Sequence, residues 1–298
     1  TAGGILLRGT GIGPISMVEN RLFATGEVDL GLPDLNNALF EMAGNTFRIV
    51  GAGPNSFYAI PTNGQCRFEN NFVEIQSGAN TPSFTAGCHT GTGPFDFTDN
   101  SVAVIGTMAG LRVDGNGISE MLVADNHFST SQFLWVYSGA ARADVRGNRF
   151  GLMDHYLELG NAVHSPVTTL HFEDNTITHR NPTIFGVHVT GVASVTMVDN
   201  RATVLGTPGT NVVALGASAV SGPLALTARD NTFTNYSRAL LFMDDGTTQN
   251  SLPATVTNNV FDFPIDALAK PAELNNIGNA INATNNQWGT NTNAAVVE

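Results

Sequence analysis

Residues 172–177 read Phe172-Glu173-Asp174-Asn175-Thr176-Ile177, and this order of residue types recurs along almost the whole chain. An apolar residue is followed by a variable residue, a turn former, an asparagine, a second variable residue and a second apolar residue. Gly, Asp and Asn dominate the position before the asparagine, and these types tolerate tight or left-handed backbone geometry. The motif therefore predicts a bend between two short strands. Its asparagines are Asn20, Asn45, Asn71, Asn100, Asn126, Asn148, Asn175, Asn200, Asn231, Asn259 and Asn286.

Successive asparagines of the motif lie 22 to 31 residues apart, a period typical of solenoids. Around each turn apolar and polar residues alternate, as at Leu170, Phe172 and Ile177, and this period of two indicates strands. Stacked coils would place equivalent asparagines about 4.8 Å apart, where their amides can hydrogen-bond from coil to coil. The sequence predicts an all-β, single-stranded parallel β-helix of about 11 coils with an asparagine ladder.

The turn motif, the coil length and the closing Asn285-Asn286-Gln287-Trp288-Gly289 resemble the right-handed parallel β-helix of pectin-lyase-like proteins. The resemblance covers roughly residues 5 to 289 and implies a right-handed solenoid. It also implies a secreted or cell-surface location. It implies no particular activity, because this superfamily includes polysaccharide lyases, glycoside hydrolases, uronate epimerases, phage tailspikes and adhesins.

Length and charge limit the organisation and the partners of the chain. Solenoids grow by adding coils, so all 298 residues are expected to form one domain, 1–298. The chain opens with Thr1-Ala2-Gly3-Gly4 directly before a strand-like stretch. We therefore expect a segment of a longer or processed protein, with a further chain or domain at the N-terminal end. The net charge of −12 argues against a nucleic-acid partner, and without about 20 consecutive apolar residues no membrane insertion is expected.

The two cysteines, Cys66 and Cys88, lie 22 residues apart, close to one coil. They could therefore face each other on neighbouring turns and form a disulfide. Alternatively, Cys66 is a buried small apolar residue, because it lies five residues before Asn71 at an inward-type position. Metal binding is less favoured, since no second cysteine pair or close histidine spacing accompanies them.

A second strand in each coil carries the candidate site. When the second strands of successive coils are aligned with one another, Leu111-Arg112-Val113 lies beside Val136-Tyr137-Ser138, Leu157-Glu158-Leu159 and Val187-His188-Val189. Because outward side chains line up across parallel strands, it predicts a column of four residues and a neighbouring column of two. The first column contains Arg112, Tyr137, Glu158 and His188, and the second contains Trp135 and Tyr156.

These residue types suit a sugar chain. Tyr137, Trp135 and Tyr156 would bind substrate by stacking on sugar rings. Arg112 can pair with a uronate carboxylate, and Glu158 and His188 are candidates for general acid and base. The hypothetical catalytic residues are thus Glu158, His188 and Arg112.

Two functions remain open on the sequence. The first is a structural, adhesion or glycan-binding module whose partner is a polysaccharide or cell-surface glycan. The alternative is a carbohydrate-active enzyme, a lyase, hydrolase or epimerase of an extracellular polysaccharide. The polygalacturonase-like residue pattern is absent, which favours the module. No metal site or cofactor is expected, and calcium, which pectate-lyase-like sites bind through a carboxylate cluster, has no supporting motif here.

Overall fold

The chain folds into three parallel β-sheets of 11 strands each. A computed structural model describes residues 5–6, 13–30, 34–53, 55–78, 81–91, 93–130, 133–160, 167–180, 182, 184–209, 212–220, 222–244, 252–262, 272–275 and 281–289. These residues contain strands and turns and no helix, so none of them forms a helix able to cross a membrane. The prediction of an all-β parallel solenoid is confirmed.

Sheet 1 carries the candidate site. Its strands are β1 (Ile5–Leu6), β4 (Glu27–Asp29), β7 (Ser56–Ala59), β10 (Ser83–His89), β13 (Gly110–Asn116), β16 (Phe133–Gly139), β19 (Leu157–Gly160), β22 (Phe185–Thr190), β25 (Val213–Ala219), β28 (Arg238–Asp244) and β31 (Ala272–Asn275).

Sheets 2 and 3 flank the asparagine turn, sheet 2 before it and sheet 3 after it. Sheet 2 contains β2 (Ile15–Val18), β5 (Leu39–Ala43), β8 (Gln65–Glu69), β11 (Phe95–Thr98), β14 (Glu120–Ala124), β17 (Arg142–Arg146), β20 (Val167–Glu173), β23 (Val192–Val198), β26 (Ala225–Arg229), β29 (Ala254–Thr257) and β32 (Ile281–Asn282). Sheet 3 contains β3 (Arg21–Ala24), β6 (Thr46–Gly51), β9 (Phe72–Ser77), β12 (Ser101–Ile105), β15 (His127–Thr130), β18 (Arg149–Met153), β21 (Thr176–His179), β24 (Arg201–Val204), β27 (Thr232–Thr234), β30 (Val260–Asp262) and β33 (Gln287–Trp288).

The regular part of the solenoid comprises about 8 coils, from β5 to β28. Every strand in this part except β27 has at least 4 residues. Towards the ends several strands shorten to 2 or 3 residues, namely β1, β4, β30, β32 and β33. The expected count of about 11 regular coils is therefore too high, because the turn motif continues into end coils whose strands are short.

The predicted turn is present in every repeat. The residue before each ladder asparagine has a positive φ, between 50° and 64°. In this left-handed region Gly, Asn and Asp are the least strained residues. The local residue type thus sets each corner between sheets 2 and 3. The residues are Glu19, Gly44, Asn70, Asp99, Asp125, Gly147, Asp174, Asp199, Asp230, Asn258 and Asn285.

The asparagine ladder is continuous from Asn20 to Asn286. Between successive members the side-chain Nδ2 donates to the next Oδ1 at 2.8–3.1 Å. Asn45 shows the full pattern. Its Nδ2 also donates to the Met17 carbonyl (2.7 Å), and its backbone N–H donates to Asn71 Oδ1 (3.1 Å). Buried amides are thereby satisfied, as burial of polar groups requires.

The interior is filled by apolar side chains in register. Phe97, Phe128, Phe150 and Phe172 stack with ring centroids 5.9, 5.2 and 6.2 Å apart. The phenylalanines that stand two positions after a ladder asparagine are all buried, namely Phe47, Phe128, Phe150, Phe233 and Phe261.

A disulfide joins Cys66 to Cys88. Cys66 lies in β8 of sheet 2 and Cys88 in β10 of sheet 1. His89 pairs with Thr62 and Phe95 pairs with Cys66, so the bond joins neighbouring turns at the corner between these two sheets, as the separation of 22 residues suggested. Both cysteines are buried, which agrees with the inward position predicted for Cys66.

Candidate functional site

The outer face of sheet 1 contains a column that differs from the predicted one. Arg112 pairs with Trp135, Trp135 with Glu158, and Glu158 with His188. Tyr137 instead pairs with Asp114. The predicted column was therefore wrong at Tyr137, and Trp135 occupies the place assigned to it.

The cause of this error is the length of one coil. Gly110 pairs with Phe133, 23 positions later, whereas the alignment of Arg112 with Tyr137 assumed 25 positions. This difference of two positions moves Tyr137 from the register position of Arg112 to that of Asp114. The side chains of Trp135 and Tyr137 lie outside the described residues.

The outer face of sheet 1 is sheltered compared with the other two sheets. In β10, β13, β19, β22 and β25 every described outward residue is half-buried or buried. By contrast, outward residues of β8 in sheet 2 and of β6 and β9 in sheet 3 are exposed, including Arg67, Arg48 and Phe72. A sheltered strip with polar groups is the setting in which ligand sites are commonly found.

The C-terminal part of this strip groups Tyr156, Glu158, Phe185, His188 and Ser218. The Tyr156 hydroxyl hydrogen-bonds to the Glu158 carboxylate. The His188 ring lies parallel to the Phe185 ring, with centroids 4.5 Å apart, and edge-on to Tyr156 at 6.1 Å. His188 Nε2 and Ser218 Oγ share a hydrogen bond of 2.8 Å. The structure thus brings three of the six predicted site residues into one cluster.

Burial changes the acid–base chemistry of this cluster. Burial lowers the pKa of His188 from 6.5 to about 4, so its imidazole is neutral at pH 7. Burial also raises the pKa of Tyr156, and the neighbouring Glu158 charge acts in the same direction. Perturbed titrations of this kind concentrate at functional sites.

Gly216 makes room for the aromatic pair. It lies beside His188 on the next strand, and a Cβ there would come 2.4 Å from the Phe185 ring and 3.3 Å from His188 Cδ2. Only glycine fits without displacing these rings. Sequence reasoning missed Phe185, Gly216 and Ser218, because their approach depends on which residues become neighbours across strands.

The buried histidines predict a loss of stability in mild acid. His179, in the interior, also has its pKa lowered from 6.5 to about 4 by burial. Between these two values the unfolded chain binds protons that the folded chain does not. The contribution of each histidine to the free energy of unfolding is therefore fully present above about pH 6.5. It falls by about 1.4 kcal/mol per pH unit as the pH is lowered towards 4.

Urea unfolding at a series of pH values measures this slope. In His188→Gln the free energy of unfolding is expected to depend less steeply on pH, because only His179 then contributes to the slope. An equal slope in the variant and in the wild type would contradict a buried neutral His188.

A second polar cluster, in the N-terminal part of the strip, contains His89, Arg112 and Asp114, and the exposed Tyr58 lies beside it on β7. Asp114 is fully buried, and its Oδ2 accepts hydrogen bonds from Arg112 Nη2 and from His89 Nε2, the latter at 2.9 Å. Burial raises the pKa of Tyr58, with the charge of Asp29 as the second cause. Of these residues the sequence analysis had named Arg112 alone.

A signal for this second cluster was present in the sequence. Asp114 follows Arg112 at the spacing that puts both side chains on the same face of β13, and His89 lies 25 residues before Asp114, one coil away. Gly87 pairs with Asp114, and a Cβ on Gly87 would come 2.3 Å from the Asp114 backbone oxygen. The glycine therefore lets the acidic residue pack closely against the neighbouring strand.

No group of three or more His, Cys, Asp or Glu within the described ranges is arranged to hold a metal ion.

Comparison with protein-family models, with curated proteins and with solved structures found no match to this chain. The class of protein is therefore defined by its fold, as a parallel β-solenoid with an asparagine ladder.

Proposed function

We propose that this chain is an exported β-helix of the pectin-lyase-like kind and that it binds a polysaccharide along the outer face of sheet 1. The observation that carries the proposal is the sheltered strip of that face. Over five described strands it has no exposed outward residue, although the outer faces of the other sheets do.

The dimensions of the strip suit an extended ligand. Arg112 and His188 are three strands apart in one column, which corresponds to about 14 Å at about 4.8 Å per strand. That is the scale of a short oligosaccharide. A linear sugar chain running along the solenoid would meet one outward residue of this column on each coil.

The side chains offer both kinds of contact that sugars use. Tyr58 and Tyr156 present ring surface together with a polar hydroxyl, and Arg112 offers a planar set of N–H donors. Glu158 and His188 add a hydrogen-bonding acceptor and a neutral imidazole. This combination favours a ligand with apolar ring faces and many hydroxyl groups.

The disulfide supports an extracellular setting, and the net charge bears on the kind of polymer that is bound. Disulfides persist mainly in oxidising compartments and on secreted proteins, and this chain has one between Cys66 and Cys88. The net charge of −12 disfavours nucleic acid as the polymer that is bound. Both points favour a polysaccharide or cell-surface glycan as the partner.

Binding to a panel of neutral and uronic-acid polysaccharides, measured by affinity electrophoresis and calorimetry, tests the proposal. Tyr156→Ala is expected to weaken binding at least about tenfold, equivalent to about 1.4 kcal/mol, because it removes ring surface from the strip. Phe72→Ala, which removes an exposed ring from sheet 3, is the matched control and is expected to bind as the wild type does.

Absence of binding to every glycan would reject the proposal. Equal losses in Tyr156→Ala and Phe72→Ala would place the binding surface elsewhere.

Turnover of the bound glycan is a second candidate function. The hydrogen bond from Tyr156 to Glu158 and the pairing of Glu158 with His188 favour it, because they bring acid–base groups together. Release of reducing ends or of unsaturated product by the wild-type chain in the same assay would support this candidate.

A further inference from the structure

The first four strands of sheet 3, which are β3, β6, β9 and β12, carry an apolar patch on their outer face. Four large apolar side chains point outward from these strands and are 37% to 72% exposed, namely Phe23, Val50, Phe72 and Ile105. They are four of the nine large apolar or aromatic side chains that are exposed among the described residues. Exposed apolar side chains that cluster in this way mark interaction sites, because covering them removes apolar surface from water.

Arg48 and Glu74 lie at the centre of this patch. They pair across β6 and β9, and Arg48 Nε is 3.2 Å from the Glu74 carboxylate. Arg48 also pairs with Phe23 on β3, and its guanidinium lies over the Phe72 ring, 5.8 Å from the ring centroid. Its side chain is 52% exposed, and a guanidinium has five N–H donors, so it can bind a second carboxylate. A matching partner therefore presents a carboxylate opposite Arg48 and a cation opposite Glu74.

The patch itself presents these two charges in the reverse order, so a second copy of the chain fits it. We propose that two copies form a dimer through the outer face of sheet 3 in each, with the long axes of the two solenoids antiparallel. The two-fold axis lies between the two faces, parallel to the strands and midway between β6 and β9. β6 then faces the partner's β9, and β3 faces the partner's β12. A two-fold interface uses the same surface on both copies and therefore requires such self-complementarity.

The two-fold rotation sets each charge against an opposite charge. Arg48 of each copy faces the partner's Glu74, so the two ion pairs join into a ring of four alternating charges. A two-fold axis along the solenoid would instead set Arg48 against the partner's Arg48, and an axis centred on β6 would do the same. Like charges that face each other across an interface cost free energy. The charges therefore favour the axis between β6 and β9.

The same rotation sets large side chains against small ones. Phe23 and Ala103 lie in the column of the central ion pair, one strand beyond it on each side, so the Phe23 ring faces the partner's Ala103. In the neighbouring column Thr46 pairs with Phe72, so the Phe72 ring faces the partner's Thr46. Sheets that pack face to face lie about 10 Å apart, and this spacing accommodates a phenyl ring opposite a small side chain.

The size of the interface predicts a weak dimer. Four strands at about 4.8 Å each span about 19 Å. The two copies would bury on the order of 1,000 Å² in total, which is the lower limit for a specific interface. We expect a Kd on the order of tens of micromolar, so that the chain at about 1 µM is mainly monomeric. The outer face of sheet 1 stays uncovered in the dimer, so the dimer and the proposed glycan binding are independent of each other.

Sedimentation velocity of the purified chain from about 5 to 500 µM, a range that brackets this Kd, tests the dimer. The wild type is expected to shift from monomer to dimer as the concentration rises. Phe23→Ala is expected to raise the Kd at least about tenfold, because it removes an aromatic ring that the partner covers.

Charge reversal tests the arrangement of the two copies. Arg48→Glu leaves two negative side chains at the centre of the patch and Glu74→Arg leaves two positive ones, so each variant alone is expected to raise the Kd at least about tenfold. An equimolar mixture of the two variants sets opposite charges against each other again and is expected to form heterodimers with a Kd close to that of the wild type. Arg201→Glu is the matched control, because Arg201 is exposed on the same face at β24, outside the patch, and it should dimerise as the wild type does.

Three results would overturn the proposal: a wild-type chain that stays monomeric up to about 500 µM, an unchanged Kd in Arg48→Glu, or a mixture of the two charge variants that stays monomeric. Growth beyond dimers would contradict the closed two-fold arrangement. Rescue by mixing supports the dimer and cannot arise from misfolding of either variant. No glycan enters these experiments, so failure of the glycan-binding assay leaves their outcome unaffected.

Discussion

Phe128→Ala is expected to lower the free energy of unfolding by about 3 to 5 kcal/mol, the range for deleting a buried phenyl ring. Phe128 is fully buried and lies in the middle of the ring stack, 5.9 Å from Phe97 and 5.2 Å from Phe150. Removing it abolishes two aromatic contacts at once. The rigid coils above and below cannot collapse into the space, because their spacing is set by strand hydrogen bonds.

Urea unfolding followed by far-ultraviolet circular dichroism, extrapolated linearly to water, measures this loss. Phe23→Ala is the matched control, because Phe23 is 72% exposed on sheet 3, and its change is expected to stay within about 0.5 kcal/mol. A loss below about 1 kcal/mol in Phe128→Ala would contradict a close-packed interior.

Asn175→Leu is expected to cost about 3 kcal/mol or more. Asn175 Nδ2 donates to the Val145 and Glu173 carbonyls and to Asn200 Oδ1. Its Oδ1 accepts from the backbone N–H and the Nδ2 of Asn148. The leucine would leave several buried groups unpaired on both neighbouring coils, and each such group costs about 1–3 kcal/mol.

Asn20→Leu provides the comparison for this variant. Asn20 is the first member of the ladder, is exposed, and donates to Asn45, so fewer buried groups lose a partner. Its cost is expected to stay below about 1 kcal/mol. Chemical denaturation of both variants measures the two losses in the free energy of unfolding. Equal losses would show that the cost does not come from leaving buried polar groups unpaired.

The architecture could be predicted from the sequence because its determinants are local. Gly, Asn or Asp stands directly before ten of the eleven ladder asparagines, and the residue at this position adopts a positive φ in all eleven. The alternation of apolar and polar residues then assigns the inner and outer faces. No long-range information was needed for Asn175 or Phe172 to occupy their places.

The candidate site was predicted only in part, because it depends on register in sheet 1. The asparagine turn aligns sheets 2 and 3, but sheet 1 lies farther along the coil, where the connecting segments vary in length. A difference of two residues between β13 and β16 exchanged Tyr137 for Trp135 in the column. The same uncertainty hid the contact between His89 and Asp114.

The sequence by itself determined the turns, the strands, the asparagine ladder and the side chains that face inward, since each follows from residues within a few positions of one another. Tertiary structure alone decided which outward side chains meet across coils. Glu158 pairs with His188 on the neighbouring strand, and Asp114 accepts hydrogen bonds from both His89 and Arg112. The physical reason is that each such contact depends on the number of residues in a whole coil, which no local preference controls.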